Sequence, residues 1–257
     1  MDIHPSAVVN PNAELAAGVK IGPYSIIGDS VTIGRDTVIG PHVVIERNTC
    51  IGEHNTIFQF VSIGTPPQDI GYRGEDTRVA IGDDNIIREY TTINRASTKE
   101  EWVTMVGNKN FFMAYAHVAH DCNLGNEIIM ANAAMLAGHT RIGDHATVGA
   151  LTAVQQFVRI GAYSFIGSKT GIPKDAPPFM IAAGPRAKLY GVNQKGLKRL
   201  GFSGETIAGL KKAFKIMWRE NRGFRNGIDQ VKREMEPFPE LELLTSFIEA
   251  SERGVLR

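Results

Sequence analysis

The chain has 257 residues, of which 43% are hydrophobic and 21% are charged, and this composition is that of a folded globular protein rather than a disordered one. Its formal net charge of +1 excludes a general electrostatic attraction to nucleic acid or to an anionic membrane. An acidic partner would therefore have to meet a local patch of Lys and Arg.

The opening segment MDIHPSAVVN lacks the charged and apolar regions of a secretory signal. No apolar run approaches the roughly 18 residues of a membrane span, so we expect a cytoplasmic protein without a transmembrane segment. The two cysteines, Cys50 and Cys122, are too few for a disulfide framework or a cysteine-based zinc site. We expect both to be unpaired structural thiols.

A six-residue period runs through the first two thirds of the chain. Every sixth residue is apolar, in three stretches that begin at Ile3, Ile81 and Val106 and end at Ile63, Ile93 and Ile172. Many of these residues are followed directly by Gly, as in Ile21-Gly22 and Leu124-Gly125. A period this regular is typical of a solenoid built from short repeats.

Six residues are too few for a helix and its return, but they suffice for one short strand and one tight corner. Three such units close a triangular coil of 18 residues, and stacked coils bury the sixth-position side chains in one aliphatic core. Residues 18 apart are then vertical neighbours. We expect the glycines to supply the backbone freedom that the corners require.

Two segments interrupt the period, 64–80 and 94–105, and we expect them to leave the solenoid as loops that carry function. The period ends at Ile172, before the segment PKDAPPF, whose prolines oppose further strand pairing. Apolar residues then recur at helical spacing. The sequence therefore predicts a β solenoid domain over 1–191 and an α-helical C-terminal domain over 192–257.

Polar residues that carry chemistry concentrate between residues 117 and 157. Counting 18 residues forward places His120 beneath Gly138 and Asp121 beneath His139, each about one strand spacing apart. A further 18 residues place Gln156 above Gly138.

This arrangement suits acyl transfer. A neutral imidazole can take a proton from a hydroxyl, a carboxylate can fix its tautomer, and a Gly N–H can stabilise an oxyanion. The structural alternative is a set of corner histidines that hydrogen-bond across coils without catalysis. A zinc site on His117, His120 and His139, as in a metal-dependent hydratase, is the alternative from another class.

Several segments carry a resemblance to a known family: HVAHDCNLGN, LAGH, AVQQFVRIGA, GVNQKGLKRLGFS and SERGVLR. The chain resembles the UDP-N-acetylglucosamine acyltransferases of lipid A biosynthesis over essentially its whole length. The resemblance implies a left-handed parallel β-helix of hexapeptide repeats and a homotrimer with active sites between subunits. It implies a 3-hydroxyacyl donor on acyl carrier protein and, as acceptor, the 3-hydroxyl of the nucleotide sugar. No cofactor is implied, because a thioester is already activated.

By position in these motifs, the resemblance implies that His120 is the general base, Asp121 its orienting partner and Gly138 the oxyanion donor. It implies further contacts to the two substrates for a larger set of residues, which comprises Gln68, Asp69, His117, His139, Gln156, Asn193 and Arg199. Gln68 and Asp69 would approach a sugar or acyl hydroxyl, and Gln156, Asn193 and Arg199 would hold the uridine and phosphates.

Four positions depart from the family pattern: Gly71, Asn94, Gln155 and Lys195. These departures leave the 3-amino analogue of the sugar, which would give an amide product, as an alternative acceptor. Ser168 stands where glycine in the family leaves room for a long acyl chain, which points to a shorter one.

An acidic carrier protein needs a basic surface. At helical spacing, one stripe of the C-terminal domain carries Lys211, Lys215, Arg219 and Arg222, opposite the apolar stripe. We expect this stripe to be the docking face for acyl carrier protein, the alternative being an ordinary solvated helix face.

Overall fold

The computed structural model describes residues 1–220 and 223–257. Residues 2–172 form 26 short strands, one for each apolar position of the period. Each strand pairs in parallel with the equivalent strand of the next coil, so that three flat faces stack along one axis. The predicted solenoid is therefore confirmed, and its strands follow the chain from the first face to the second and then to the third.

The strands of the first face are Asp2–Ile3, Lys20–Ile21, Val38–Ile39, Thr56–Ile57, Ile86–Ile87, Phe111–Phe112, Ile129–Met130, Thr147–Val148 and Phe165–Ile166. The strands of the second face are Val8–Val9, Ile26–Ile27, Val44–Ile45, Ser62–Thr65, Thr92–Asn94, His117–Val118, Met135–Leu136, Ala153–Val154 and Gly171–Ile172. The strands of the third face are Glu14–Leu15, Thr32–Ile33, Thr49–Ile51, Arg78–Ile81, Val103–Val106, Asn123–Leu124, Arg141–Ile142 and Arg159–Ile160.

The register between coils is the predicted one. His117 pairs with Met135, and Asn123 pairs with Arg141, in each case 18 residues further on. The sixth-position side chains point inward and are buried, except near the start of the chain, where Ile3 is 39% exposed. Among the described residues no strand pairs with the outer edge of the first coil, so its inward side chains are less buried than those of later coils.

The three corners are built differently from the prediction. Most turns between strands hold a non-glycine residue at positive φ, such as Asp121 at 60° and His139 at 63°. This conformation is costly for residues with a Cβ. Corner amides offset the cost by donating to the coil below, as His139 N–H does to the His120 carbonyl over 3.1 Å.

The prediction that the repeat glycines supply conformational freedom was therefore wrong for twelve of the thirteen glycines that follow a sixth-position residue, and Gly64, at a φ of 80°, is the exception. Gly22 and Gly125 are not among the residues at positive φ. A Cβ on Gly22 would lie 2.8 Å from the Gly40 carbonyl carbon in the next coil. These glycines are needed because neighbouring coils approach too closely at the corners for a side chain.

After the last coil, strands Met180–Ala183 and Lys188–Val192 extend the first face, and the second of them is antiparallel. The helices are α1 (Gln194–Arg199), α2 (Gly204–Phe214), α3 (Phe224–Glu234) and α4 (Pro239–Glu249), with a π-helical turn at Lys215–Glu220. None of the described helices is long and apolar enough to cross a membrane.

Helix α2 contacts strand Lys188–Val192 on the first face, and α4 is bonded to the third face at its C-terminal end. Arg159 on this face donates to the Asp175 carboxylate over 3.0 Å and to the Phe247 carbonyl of α4 over 2.7 Å. Ser251 adds a third contact, donating to the same carboxylate over 2.8 Å. Because these partners come from three parts of the chain, they fix the helices relative to the coils.

Candidate active site

Both insertions leave the solenoid at the same corner, where the second face meets the third. The first insertion lies between strands Ser62–Thr65 and Arg78–Ile81, and the second between Thr92–Asn94 and Val103–Val106. The same corner of the following coils carries His120 and Asp121, then Gly138 and His139. We call this edge of the prism the catalytic corner.

The centre of this corner is a hydrogen-bonded pair of adjacent residues. His120 Nδ1 lies 2.6 Å from Asp121 Oδ2, and the two residues are only 7% and 4% exposed. Asp121 can hold this position because its backbone is left-handed, with its N–H bound to Thr104 Oγ1 over 2.8 Å. When the Nδ1–H of a neutral imidazole donates to the carboxylate, Nε2 carries the lone pair and can act as a base.

Ser97 of the second insertion holds the other side of the carboxylate. Its hydroxyl donates to Asp121 Oδ2 over 2.7 Å, and its backbone N–H lies 3.1 Å from both carboxylate oxygens. Ser97 was not among the residues predicted from the sequence. The only available signal was that it is a hydroxyl residue within an interruption of the period.

These contacts keep Asp121 ionised. Burial opposes the charged form, but the hydrogen bonds from His120 and Ser97 outweigh it and hold the pKa of Asp121 below its ordinary 3.8. The carboxylate can therefore stabilise an imidazolium on His120 as it forms.

Gly138 covers the His120 ring from the next coil. A Cβ at this position would lie 2.5 Å from His120 Cε1 and 2.8 Å from Nε2, so only glycine leaves room for the imidazole. The amides of Ala137 and His139 donate to carbonyls of adjacent coils. Within the described residues no acceptor binds the Gly138 N–H, which is thus available to an oxyanion.

His139 completes the wall above the pair. Its ring meets the His120 ring edge-on with centroids 5.2 Å apart, and it stacks on Phe157 at 4.3 Å. Its Nε2 lies 3.7 Å from Asp121 Oδ2. Its buried Nδ1 has no hydrogen-bond partner in the described part of the chain, although a Glu100 oxygen is 3.5 Å away.

His117 lies outside this cluster, on the second face. Its Nδ1 is 2.7 Å from Thr92 Oγ1 in the coil below. Burial, and then the nearby charge of His120, lower the pKa of His117 from 6.5, so this imidazole is neutral at physiological pH.

The first insertion brings Asp69 to the catalytic corner. Its carboxylate binds Lys99 and the Gly71 N–H, and these two contacts hold its pKa below 3.8, with a smaller contribution from the charge of His120. Gln68, its neighbour, is exposed.

The start of this insertion is anchored from the coil above. Asn94 Nδ2 donates to Thr65 Oγ1 and to the Pro66 carbonyl, each over 2.8 Å, and Arg95 donates to the Gly64 carbonyl over 2.7 Å. Asn94, one of the departures from the family pattern, thus fixes where the insertion begins.

Three of the predicted substrate-binding residues lie elsewhere in the chain. Asn193 caps α1 by accepting from the Gly196 N–H over 3.2 Å, and its Nδ2 donates to Tyr163 where the third face meets the first. Arg199 is exposed at the end of α1. Ser168 lies where the first face meets the second. Gln156, by contrast, is exposed at the catalytic corner, directly beyond Gly138.

The predicted docking stripe begins on α2 and continues into the π-helical turn. Lys211 is exposed on α2, Lys215 pairs with Glu220 at 3.1 Å, and the Arg219 guanidinium lies 5.7 Å from the Phe214 ring. Arg222 lies outside the described residues. A π-helix has more residues per turn than an α-helix, so the α-helical spacing from which the stripe was predicted does not hold over Lys215–Glu220.

The histidines that come together differ from the predicted zinc set. His120, Asp121 and His139 have ligand atoms within 4.8 Å of one another, whereas His117 is not part of this group. A metal ion would fit these residues poorly, because His120 Nδ1 and Asp121 Oδ2 are already hydrogen-bonded to each other. The Ser97 hydroxyl donates a second hydrogen bond to the same Asp121 oxygen.

Comparison with known families and structures agrees with this geometry. Residues 175–256 match the family described as Udp N-acetylglucosamine O-acyltransferase, Domain 2, and residues 24–59 match the bacterial transferase hexapeptide repeat. Acyl-[acyl-carrier-protein]--UDP-N-acetylglucosamine O-acyltransferase from Thermodesulfovibrio yellowstonii is 54% identical over 256 residues, covering 100% of this chain and 99% of the relative. The protein of that name from Syntrophobacter fumaroxidans is 50% identical, with 100% of both chains covered.

Solved structures extend the likeness to three dimensions. LpxA from Acinetobacter baumannii superposes with a TM-score of 0.96 at 42% identity, covering 99% of both chains. UDP-N-acetylglucosamine O-acyltransferase (LpxA) from Moraxella catarrhalis superposes with a TM-score of 0.97 at 40% identity, covering 100% of both.

The stacked coils and the polar corner define a hexapeptide-repeat acyltransferase, and the predicted left-handed β-helix with a helical C-terminal region is confirmed. More specifically, the chain belongs to the UDP-N-acetylglucosamine O-acyltransferase family.

Proposed function

We propose that this protein transfers a 3-hydroxyacyl chain from acyl carrier protein to the 3-hydroxyl of UDP-N-acetylglucosamine, the first step of lipid A biosynthesis, in the cytoplasm. The observation that carries the proposal is the His120 imidazole, held by Asp121 at 2.6 Å and covered by Gly138. Relatives that are named for this reaction and share about half of the residues over the full length support it.

The chemistry follows from the three groups. His120 Nε2 takes the proton of the sugar hydroxyl while the hydroxyl oxygen bonds to the thioester carbonyl carbon. The Gly138 N–H stabilises the oxyanion that forms. When the carbonyl re-forms, the carbon–sulfur bond breaks, and the imidazolium returns the proton to the leaving thiolate. Asp121 stabilises the imidazolium between these steps, and the thioester supplies the driving force without a cofactor.

Substrate contacts are proposed around this centre. Asp69 and Gln68 approach a hydroxyl, and His117 and His139 line the sugar site. Gln156, Asn193 and Arg199 hold the uridine and phosphates, and Ser168 closes the acyl pocket.

We infer that the active form is a homotrimer. Asn193 and Ser168 lie at corners of the prism other than the catalytic one, so their proposed roles require a neighbouring subunit at each site. Ile70, next to Asp69, is 99% exposed, and a row of stacked rings lines the corner between the first and second faces. The row comprises Tyr24, His42, Phe60, Tyr90 and Tyr115. Exposed apolar residues in this number support burial against another copy.

Acyl carrier protein would dock on Lys211, Lys215 and Arg219, with Arg222 outside the described part of the chain. Reversing the charge at Lys211 and Arg219 should raise KM for the carrier-bound donor and leave KM for the nucleotide sugar unchanged.

The test is direct. The purified protein is incubated with 3-hydroxyacyl carrier protein and UDP-N-acetylglucosamine, and the product is identified by mass spectrometry. His120→Ala should lower kcat by about 10²- to 10⁴-fold, whereas His54→Ala, which alters an exposed imidazole at another corner, should not. Retained activity in His120→Ala would contradict the assignment of the base.

The 3-amino sugar is not favoured as acceptor, because the full-length relatives are named for O-acyl transfer. Offering both acceptors in the same assay compares them directly. A zinc-dependent hydratase is not favoured either, for the same reason.

A further inference from the structure

A short segment of the second insertion, residues 97–100, contacts three ionisable side chains at the catalytic corner. Ser97 binds the Asp121 carboxylate, Lys99 binds Asp69 of the first insertion, and Glu100 faces His139. The Lys99 N–H also donates to the Ser97 hydroxyl over 3.3 Å. The segment that orients Asp121 through Ser97 therefore also joins the two insertions through Lys99.

Besides the contacts of Asn94 and Arg95 at the base of the first insertion, an ion pair joins the two insertions. Lys99 Nζ lies 2.5 Å from Asp69 Oδ2, and the Gly71 N–H donates to the other oxygen over 2.8 Å. Gly71 contributes only its backbone N–H, so the cation that binds the Asp69 carboxylate is the Lys99 ammonium of the other insertion. Each carboxylate oxygen keeps a further lone pair that can accept a hydrogen bond from a substrate hydroxyl.

This pair contributes little to folding. The Lys99 side chain is 59% exposed, and exposed ion pairs typically add little stability because water screens them and the lysine loses rotamer freedom. Its position, between the catalytic pair and the first insertion, points to a role in the reaction instead.

We propose that Lys99 is a positioning residue for acyl transfer: its ammonium holds the Asp69 carboxylate at the catalytic corner, where that carboxylate accepts a hydrogen bond from a substrate hydroxyl. The proposal rests on the acyl transfer proposed above. The hydroxyl belongs either to the acyl donor or to the sugar acceptor, and the two sources predict different kinetics.

The experiment uses the full-length protein with acyl carrier protein donors and UDP-N-acetylglucosamine. Four variants are compared with the wild type: Lys99→Gln, Lys99→Arg, Asp69→Asn and the double variant Asp69→Asn/Lys99→Gln. Lys109→Gln is the matched control, because Lys109 is an exposed lysine at the corner between the third and first faces. Donors with and without the 3-hydroxyl separate the two sources of the hydroxyl.

Lys99→Gln should lower kcat/KM by about 10- to 100-fold, the usual cost of losing a hydrogen bond to a charged group, without a change in melting temperature. Lys99→Arg should restore most of the activity, and the double variant should be no worse than Asp69→Asn. If the hydroxyl is the donor's, Lys99→Gln should also reduce the preference for the hydroxylated donor. If it is the acceptor's, KM for the sugar should rise instead.

Equal activity of Lys99→Gln and Lys109→Gln would overturn the role of Lys99, as would losses that multiply in the double variant. Either result, with an active wild type, leaves the proposed function intact. Failure of the wild type to transfer the acyl chain would instead overturn the proposed function itself.

Discussion

The His120 imidazole occupies the space that any side chain at Gly138 would need. A Cβ there would come within 2.5 Å of Cε1 and 3.1 Å of Nδ1, although the two residues are a full coil apart in the sequence. Gly138 is not at positive φ, so the requirement for glycine is one of space and not of backbone strain.

Gly138→Ala should therefore displace His120 from Asp121 while leaving the coil intact. We expect kcat to fall about 100-fold, because displacements near 1 Å cost this much in a preorganised site, and stability to fall by about 1–3 kcal/mol. Steady-state kinetics and urea unfolding measure the two effects. Gly204→Ala is the control, since a Cβ at Gly204 meets no atom within 4 Å. Full activity in Gly138→Ala would show that the contact is not needed.

Removing the Ser97 hydroxyl should weaken the orientation of Asp121. Ser97→Ala loses the 2.7 Å bond to Oδ2 but keeps the backbone N–H, so we expect kcat to fall about 10-fold with little change in KM for the sugar. The adjacent Thr98 is exposed, which makes Thr98→Val a matched loss of one hydroxyl. Equal kinetics for the two variants would argue against a role for Ser97.

The stability of the protein should fall as the pH drops below neutrality. The pKa of His117 in the folded protein is lowered from 6.5, mainly by burial and then by the charge of His120. Just below pH 6.5 the unfolded chain is therefore protonated at His117 while the folded chain is still mostly neutral there. The stabilisation is present above pH 6.5 and is lost as the pH falls toward the folded pKa. Asp121 acts in the same direction below pH 3.8.

Urea unfolding between pH 5 and pH 7.5 measures the contribution of His117. His117→Gln should show a smaller loss of unfolding free energy over this interval than the wild type. An unchanged slope would mean that His117 does not titrate differently on folding.

The two thiols should react at very different rates. Cys50 is exposed, whereas burial raises the pKa of Cys122 to about 12. Because the thiolate is the reactive form, iodoacetamide at neutral pH should alkylate Cys50 in the native protein and Cys122 only after denaturation. Peptide mass spectrometry identifies the labelled residue, and rapid native labelling of Cys122 would contradict its burial.

The register of the coils could be predicted because an apolar residue in every six-residue unit marks the side that faces the core, and three units per coil place residues 18 apart above one another. Counting by 18 placed His120 under Gly138 correctly. The same counting failed to explain the repeat glycines, since the close approach of neighbouring coils is a property of two chain segments and not of one.

The contacts of the two insertions could not be predicted from residue spacing. Ser97 and Lys99 lie in a segment that breaks the period, so no fixed offset relates them to Asp121 or Asp69. Their partners are set by how the two loops fold over the corner.

By itself, the sequence determined the solenoid, the placement of His120 beneath Gly138 and the likeness to an acyltransferase family, because a repeating strand converts sequence distance directly into spatial distance. Only the tertiary structure decided which side chains hold Asp121 and Asp69, and at which corner each predicted residue lies. Those contacts depend on irregular loops and on close packing between coils, where spatial distance no longer follows from the spacing of residues.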